Sequence, residues 1–261
     1  MTIQTMFQLL RQRAGETPTP KGPPHRGETQ IDYYRRTADD YDEAHVSSHD
    51  EHSESLEMIL SLIRQLNLQS VLDVGCGTGR GLKFLLDHMP ELAVEGNDPS
   101  PDLLSIATTR HGIRKEILHC TDALSLPFGP GSFDAVMSLG VLHHVPQPSL
   151  IVRRMIELAR KAVFISDANY IGQGSLPVSL VKLLATRAGL WPMIKYVQQG
   201  FKDWGYNQSD GVYYSYSVFN DLPLLLEAFP RVFVIPVGSA AKRGTSLPML
   251  RAPIVLAVGI R

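Results

Sequence analysis

Apolar and polar positions along this chain follow two periods, one typical of buried strands and one typical of amphipathic helices. Short continuous apolar runs predict five strands, SVLDVG, LAVEGND, EILHCTD, FDAVMSLG and KAVFISDA. Helical spacing follows the first, the second and the fourth of these runs, through Met89, over 101–110 and over 148–160. Strands that alternate with helices predict a parallel sheet covered on both faces.

The pattern changes on both sides of this region. Residues 170–220 predict short helices and loops, and nine of the 20 aromatic residues lie between Trp191 and Phe219. We interpret this segment as a cap inserted after the fifth strand. A helix near 222–228 and two final apolar runs, VFVIPVG and APIVLAVGI, predict a hairpin that closes the sheet.

The N-terminal part divides into an arm and a helix. Residues 1–30 are rich in Pro and Gly, which predicts a flexible arm before a single domain over 31–261. Residues 39–57 hold eight acids and no Lys or Arg. Apolar residues from Leu56 to Leu66 then recur at helical spacing and predict a helix that faces the core.

Composition narrows the classes of function. The chain has 261 residues and a net charge of −1, which disfavours a dedicated nucleic-acid binder. Its two cysteines, Cys76 and Cys120, form no zinc spacing and no disulfide framework. No apolar run reaches membrane-span length and the first residues do not resemble a signal peptide. We therefore expect a cytoplasmic protein without membrane contact, as a monomer or a homodimer.

The stretch VLDVGCGTGRG places glycines directly behind the first strand. Such a loop brings backbone close to a ligand at the carboxyl edge of the sheet. A dinucleotide fingerprint requires a glycine where this chain has Arg80, so a pyrophosphate site fits poorly. Asp98 after the second strand suits two ribose hydroxyls, and Asp122 with Ala123 suits an adenine. These features indicate a nucleoside without phosphates.

Four motifs in order carry a family resemblance: VLDVGCGTG, VEGNDPSPDLLSIA, TDALSLPFGPGSFDAVMSLGVLHHV and KAVFISDA. They resemble the class I S-adenosylmethionine-dependent methyltransferases. The resemblance implies a Rossmann-like, doubly wound α/β sheet of seven strands with the last strand antiparallel. It also implies S-adenosyl-L-methionine as cofactor.

The resemblance also assigns residues to the cofactor. Asp73 and Gly75 are expected at the methionine amine, Asp98 at the ribose, and Asp122 with Ala123 at the adenine. The buried thiol expected at Cys76 is interpreted as a small filler of the glycine loop, since no base lies beside it in the sequence. The complete expected set is Tyr34, Arg36, Tyr41, Asp73, Gly75, Cys76, Gly77, Gly79, Asp98, Pro99, Asp122, Ala123, Ser138, Leu139 and Gly140.

Histidines provide the candidates for acid–base chemistry. His143 and His144 follow the fourth strand, where one is expected to hydrogen-bond backbone and either is a candidate base. His45, His49 and His52 share a helical spacing that allows a metal site, but we favour an acidic segment leading into a helix and predict no metal. His49 remains a candidate catalytic residue and His45 a candidate acceptor contact.

The acceptor is expected to lie under the cap. Its aromatic residues Trp204, Tyr213, Tyr214 and Tyr216, together with Asn169, are the candidate contacts. Methyl transfer from a sulfonium needs in-line positioning above all, and a base only for a protonated acceptor. Because the cap is aromatic and the net charge is near neutral, we expect a small-molecule acceptor that is methylated on a hydroxyl oxygen, such as a sugar or a natural-product intermediate.

Three alternatives remain open from the sequence. One is an RNA methyltransferase, since the stretch after Glu227 has five basic residues and no acid. Another is a protein that binds S-adenosylmethionine without catalysis, as a partner or a sensor. The third is a nicotinamide-dependent oxidoreductase, which Arg80 disfavours.

Overall fold

The computed structural model describes residues 29–40, 51–208, 210–238 and 247–261. Eight helices lie in these ranges: α1 Gln30–Thr37, α2 Glu51–Gln65, α3 Arg80–His88, α4 Pro101–Thr109, α5 Pro148–Leu158, α6 Leu176–Arg187, α7 Trp191–Gln198 and α8 Val218–Ala228. The nine strands are β1 Ser70–Val74, β2 Ala93–Asn97, β3 Leu118–His119, β4 Phe133–Leu139, β5 Ala159–Ala168, β6 Trp204–Asn207, β7 Gly211–Tyr214, β8 Arg231–Val237 and β9 Ile254–Ile260. The flexible arm expected over 1–30 lies almost entirely outside the described residues.

Seven strands form one sheet in the order β3-β2-β1-β4-β5-β9-β8. The first five strands are parallel, and β9 runs antiparallel between β5 and β8. This arrangement confirms the predicted seven-stranded sheet with an antiparallel last strand. The third strand is shorter than predicted, because only Leu118 and His119 pair with β2.

Helices cover both faces of the sheet. Successive strand residues point to opposite faces, and both faces carry apolar side chains that the helices bury. On one face α2, α3 and α4 bury residues such as Ile59 and Leu82 against Met137 and Phe164. On the other face α5 and α8 pack on Val136 and its neighbours. The helix predicted to run to Leu66 is confirmed by α2, in which Leu56, Ile59, Leu60 and Ile63 are buried.

Local capping explains where several helices begin. Thr29 and Asp32 form a capping box at the start of α1, and Ser100 accepts from the backbone of Leu103 ahead of α4. The α5 helix ends at Leu158, earlier than the predicted 160, because Ala159 already pairs with β4. Strand pairing thus decides a boundary that helical periodicity leaves open.

The cap contains the α6 and α7 helices and also a hairpin that the sequence interpretation did not include. Strands β6 and β7 pair antiparallel, with Trp204 opposite Tyr214. The side-chain amide of Gln30 in α1 forms two hydrogen bonds to the hairpin backbone. It donates to the carbonyl of Asp210 over 3.1 Å and accepts from the N–H of Val212 over 2.7 Å. The α1 helix thereby holds the hairpin beside the sheet. Within the described ranges, no helix combines the length and apolar character that crossing a bilayer requires.

Candidate functional site

A cavity of about 370 Å³ opens at the carboxyl ends of β1, β4 and β5. Parallel strands present this edge to ligands in open α/β sheets. The cavity brings together eight residues that the sequence predicted for the site: Asp73, Gly75, Cys76, Gly77, Leu139, Gly140, His143 and His144. Its wall also includes Glu51, His52, Thr78, Arg80, Gly81, Ala168, Gln173, Asp210 and Ile254.

The glycine loop is shaped by left-handed backbone conformations. Gly75, Gly77 and Gly79 have φ angles of +74°, +53° and +82°. A Cβ at Gly75 would collide with Val141 at 2.6 Å, whereas a Cβ at Gly77 would meet nothing nearer than Leu103 at 3.9 Å. Glycine is therefore required by packing at position 75, but by backbone conformation alone at position 77.

Asp98 fastens this loop to the end of β2. Its carboxylate accepts hydrogen bonds from the N–H of Gly77 over 3.0 Å and of Ser100 over 2.8 Å. Burial raises the pKa of Asp98 to about 6, although both hydrogen bonds act to lower it. Pro99 follows directly and leads into the Ser100 cap of α4. Each carboxylate oxygen retains acceptor capacity beyond these two bonds.

Asp73 is a buried carboxylate on the cavity wall. Burial, assisted by the negative charge of Asp98, raises its pKa to about 7. No hydrogen-bond donor from the described part of the chain reaches its oxygens. A buried carboxylate is costly unless it is paired, so Asp73 offers a ready partner for a cationic group of a ligand.

Several predicted cofactor residues lie outside the lining of this cavity. Asp122 is exposed and caps a short turn by accepting from the N–H of Leu124 over 2.8 Å, while Ala123 beside it is buried. The hydroxyl of Ser138 donates to the carbonyl of Val74 over 3.0 Å.

Cys76 lines the cavity within the glycine loop. Burial raises the pKa of its thiol well above the usual range, which agrees with a packing role.

The α1 residues predicted for the cofactor lie beside the cap. The ring of Tyr34 lies 6.4 Å from the ring of His144, centroid to centroid. Arg36 donates from its guanidinium to the hydroxyl of Tyr206 over 3.1 Å. Neither residue lines the cavity. Tyr41, His45 and His49 fall outside the described residues.

His143 lies between two carboxylates at the cavity wall. Its Nδ1 is 2.7 Å from Oδ1 of Asp167, and its Nε2 is 3.4 Å from Oδ2 of Asp210. Burial by itself would lower the pKa of His143, but the two carboxylates raise it to about 10. Asp167 also accepts from the N–H groups of Leu142 and Ala168, so the imidazole ring has a fixed orientation.

His144 is likewise fixed at both ring nitrogens, in this case by contacts to the cap hairpin. Its Nδ1 lies 2.6 Å from the carbonyl oxygen of Val212, and its Nε2 lies 3.4 Å from Oδ1 of Asp210. The backbone hydrogen bond expected for one member of the histidine pair is therefore present. Asp210 is the functional candidate that the sequence reasoning missed, because its chain position gives no sign that the hairpin carries it to the histidines.

His52 also reaches this cavity from α2. Its Nδ1 lies 3.2 Å from the hydroxyl of Ser166, and a Cβ at Gly140 would meet its Nε2 at 2.9 Å. The sequence placed His52 in a histidine-rich segment but did not select it for the site. Its α2 position, opposite the ends of β4 and β5, is a consequence of packing.

A second cavity of about 770 Å³ lies within the cap. Tyr214 and Tyr216 line it, together with Tyr170, Trp191, Tyr196 and Lys195. The rings of Tyr170 and Trp191 stack at 5.1 Å with planes 7° apart. The cavity therefore has aromatic walls, the ammonium group of Lys195 and the carboxylate of Asp203.

The remaining cap candidates are placed differently. Asn169 is fully buried, and its amide donates to the carbonyls of Met249 and Ala252 over 2.8 and 2.9 Å. The ring of Tyr213 covers Gly205, and Trp204 lies under the ammonium of Lys202 at 4.3 Å. None of the three lines the cap cavity, and the contacts of Asn169 serve the fold around β9.

The fold and the motifs have counterparts among known proteins. Residues 71–162 match a family described as a methyltransferase domain. The fold resembles that of magnesium protoporphyrin IX methyltransferase from Synechocystis, crystallised with bound S-adenosylmethionine, with a TM-score of 0.55, 15% identity, and coverage of 89% of this chain and 95% of that one. The chain therefore contains a methyltransferase domain and has the fold of S-adenosylmethionine-dependent methyltransferases. This match disfavours the nicotinamide-dependent oxidoreductase.

Two curated relatives show how far this chain resembles named proteins. A probable tRNA methyltransferase 9B of Bos taurus is 37% identical over 93 residues, which cover 36% of this chain and 19% of the relative. A malonyl-[acyl-carrier protein] O-methyltransferase of Hahella chejuensis is 34% identical over 92 residues, covering 35% and 33%. The chain thus spans a third or less of the length of these curated relatives.

The cavity suits the cofactor of this family. S-adenosylmethionine carries an ammonium group and a sulfonium, and the buried carboxyl group of Asp73, when ionised, places a negative charge on the wall. A Cβ at Gly77 would meet nothing nearer than Leu103 at 3.9 Å, so the main chain of the loop is approachable there. Asp73 and this loop therefore fit the ammonium-bearing end of the cofactor.

Proposed function

We propose that this methyltransferase transfers the methyl group of S-adenosylmethionine to a hydroxyl oxygen of a small molecule held under the cap. The observation that supports it is the cluster of His143, His144 and Asp210 on the wall of the cofactor cavity. A hydroxyl acceptor must lose its proton as it is methylated, and an imidazole in its neutral form can accept that proton.

In this proposal the cofactor is held from the glycine loop outward. Asp73 pairs with the ammonium group, main chain at Gly75, Gly77 and the Ser138–Gly140 segment contacts the methionine portion, and Asp98 accepts from the ribose. Asp122 and the N–H of Ala123 serve the adenine. When bound, the cofactor supplies an electrophilic methyl group on a sulfonium.

The chain contributes mainly position and exclusion of water. Holding a nucleophile in line with a leaving group can lower a barrier by roughly 7–11 kcal/mol. Asp167 fixes the His143 ring and Val212 fixes the His144 ring, so both imidazoles are oriented before an acceptor arrives. We propose that the cap, about residues 170–220, selects the acceptor.

The aromatic cavity favours a small acceptor over a polymer. Trp191, Tyr170 and Tyr214 form walls suited to a ring or an alkyl chain. The O-methyltransferase name of the Hahella relative is in keeping with oxygen as the methylated atom. Methylation of an RNA is the second candidate, favoured by the name of the bovine relative. Binding of the cofactor without catalysis is disfavoured by the oriented histidines.

A labelled-methyl transfer screen tests the proposal. Purified protein is incubated with methyl-labelled S-adenosylmethionine and separate pools of sugars, phenols, carboxylic acids and tRNA. We expect label in a hydroxyl-bearing small molecule, and loss of that transfer in His143→Gln. His119→Gln is the matched control, because His119 pairs with Glu95 outside the cavity. Label confined to tRNA would replace the proposal with its alternative, and label in no pool would contradict catalysis.

A further inference from the structure

The three groups of the His143–His144–Asp210 cluster converge on one point. Each offers one ligand atom, and these atoms all lie within 4.8 Å of one another. The two ring atoms that face the carboxylate are both Nε2. Two imidazoles and one carboxylate are a donor set that divalent transition metals accept.

The opposite nitrogens are oriented for metal binding. A carboxylate and a carbonyl oxygen can only accept here, so Nδ1 of His143 donates to Asp167 and Nδ1 of His144 donates to Val212. Metal-binding histidines usually donate their second N–H to a carboxylate or a backbone carbonyl in this manner. In the neutral ring, this tautomer leaves the Nε2 lone pair directed at Asp210.

The distances within the cluster also suit an ion. Both Nε2–Oδ separations are 3.4 Å, longer than the usual hydrogen bond between nitrogen and oxygen. Two donors that each lie about 2.1 Å from one zinc ion are about 3.4 Å apart at the tetrahedral angle. A small shift of the Asp210 side chain, which is 40% exposed, would place one oxygen in such a position.

Two carboxylates lie at the cluster. Asp167 contacts Nδ1 of His143, and Asp210 faces Nε2 of both rings. Their negative charges favour a cation between the rings.

From these observations we propose that His143, His144 and Asp210 bind one divalent transition-metal ion, such as zinc, at the wall of the cofactor cavity. Three protein ligands leave a coordination position open, which is the arrangement of catalytic rather than structural sites.

The role of this ion rests on the proposed function. The acceptor hydroxyl would occupy the open position and release its proton to water. Its oxygen would then form a bond to the methyl carbon as the carbon–sulfur bond breaks, and the sulfur would keep the electron pair as S-adenosylhomocysteine. The ion lowers the pKa of the bound hydroxyl and is not consumed.

Zinc binding to the full chain tests the site without any acceptor. The protein is stripped with a chelator, and Zn²⁺ is titrated in competition with a chromophoric chelator. We expect one ion per chain and at least tenfold weaker binding in both Asp210→Asn and His144→Gln. His119→Gln, whose ring pairs with Glu95 elsewhere, should bind as the unaltered chain does. Mg²⁺ should compete poorly, because imidazole is not its preferred ligand.

Further variants separate this site from the histidine-rich segment. If His45→Gln with His49→Gln abolishes zinc binding while Asp210→Asn retains it, the proposed site is wrong. Absence of binding to the unaltered chain overturns it as well. Circular dichroism shows that each variant is folded. Methyl transfer that persists in the stripped protein would overturn the role of the ion but leave the proposed function intact. Zinc binding without methyl transfer to any hydroxyl would support the metal site and overturn the proposed function.

Discussion

The carboxylate of Asp98 accepts a hydrogen bond from the backbone N–H of Gly77 across 3.0 Å, and so joins the end of the second strand to the glycine loop after the first. The residue expected to hold the ribose therefore also holds the loop against which the cofactor is expected to lie. A change at Asp98 is therefore expected to alter both the conformation of the glycine loop and the contact with the ribose.

Replacement of Asp98 by alanine should weaken S-adenosylmethionine binding by roughly 10- to 100-fold. Hydrogen bonds to charged groups contribute about 1.5–3 kcal/mol each, and 1.4 kcal/mol is about a factor of ten in affinity. Isothermal titration calorimetry with S-adenosylhomocysteine measures the change. Asp98→Asn keeps one acceptor oxygen and should lose less, so equal affinity of the alanine variant and the unaltered chain would remove Asp98 from the site.

Gly77→Ala should impair cofactor binding in a protein that still folds. The substitution places a Cβ no nearer than 3.9 Å to Leu103 but introduces the strain of a side chain on a left-handed backbone, which costs about 1–2 kcal/mol. Gly112→Ala is a matched control, because Gly112 has a φ of +67° and also has no atom near a new Cβ. Both variants should lose similar thermal stability, and only the first should lose affinity. Equal affinities would show that the loop does not approach the cofactor.

Cofactor affinity should rise with pH through about 7, where Asp73 loses its proton. The ionised carboxylate pairs with the ammonium group, and the neutral acid does not. Asp73→Asn should remove this part of the pH profile and bind weakly at every pH. Titrations between pH 6 and 8 give the profile, and a variant that retained the full pH dependence would exclude Asp73 as its origin.

The same group should make the unliganded protein less stable as pH rises from about 4 to 7. Burial raises the pKa of Asp73 above its usual value of 3.8, so over this range the folded state binds more protons than the unfolded state. Stability present at low pH is therefore lost as pH rises through the folded-state pKa. Thermal melts of the unaltered chain and of Asp73→Asn should converge at low pH and separate in favour of the variant near pH 8.

Tyr214→Ala should reduce acceptor turnover more than cofactor affinity, because Tyr214 lines the cap cavity and not the cofactor cavity. We expect the KM for the acceptor to rise at least several-fold with little change in S-adenosylhomocysteine binding. Tyr213→Ala is the neighbouring control, since its ring covers Gly205 outside that cavity. A larger loss of cofactor affinity than of turnover would mean that the cap cavity does not hold the acceptor.

The sequence by itself determined the sheet and the cofactor edge. Apolar runs and glycine spacing are local signals, and parallel strands must present Asp73, Gly77 and Asp98 at one edge once the sheet forms. The closing antiparallel strand was likewise predictable, because two apolar runs separated by a Gly- and Pro-containing stretch favour a hairpin.

Only the tertiary structure decided which residues surround the candidate site. The hairpin of β6 and β7 brings Asp210 to His143 and His144, more than 60 positions earlier in the chain, because α1 and the ends of the sheet hold the hairpin there. Packing also directs the side chain of Asn169 to backbone carbonyls near β9, and it places His52 on the wall of the cavity. Local pattern specifies which residues form a strand or a turn, but contacts between distant segments depend on how whole elements pack, and no local period encodes that.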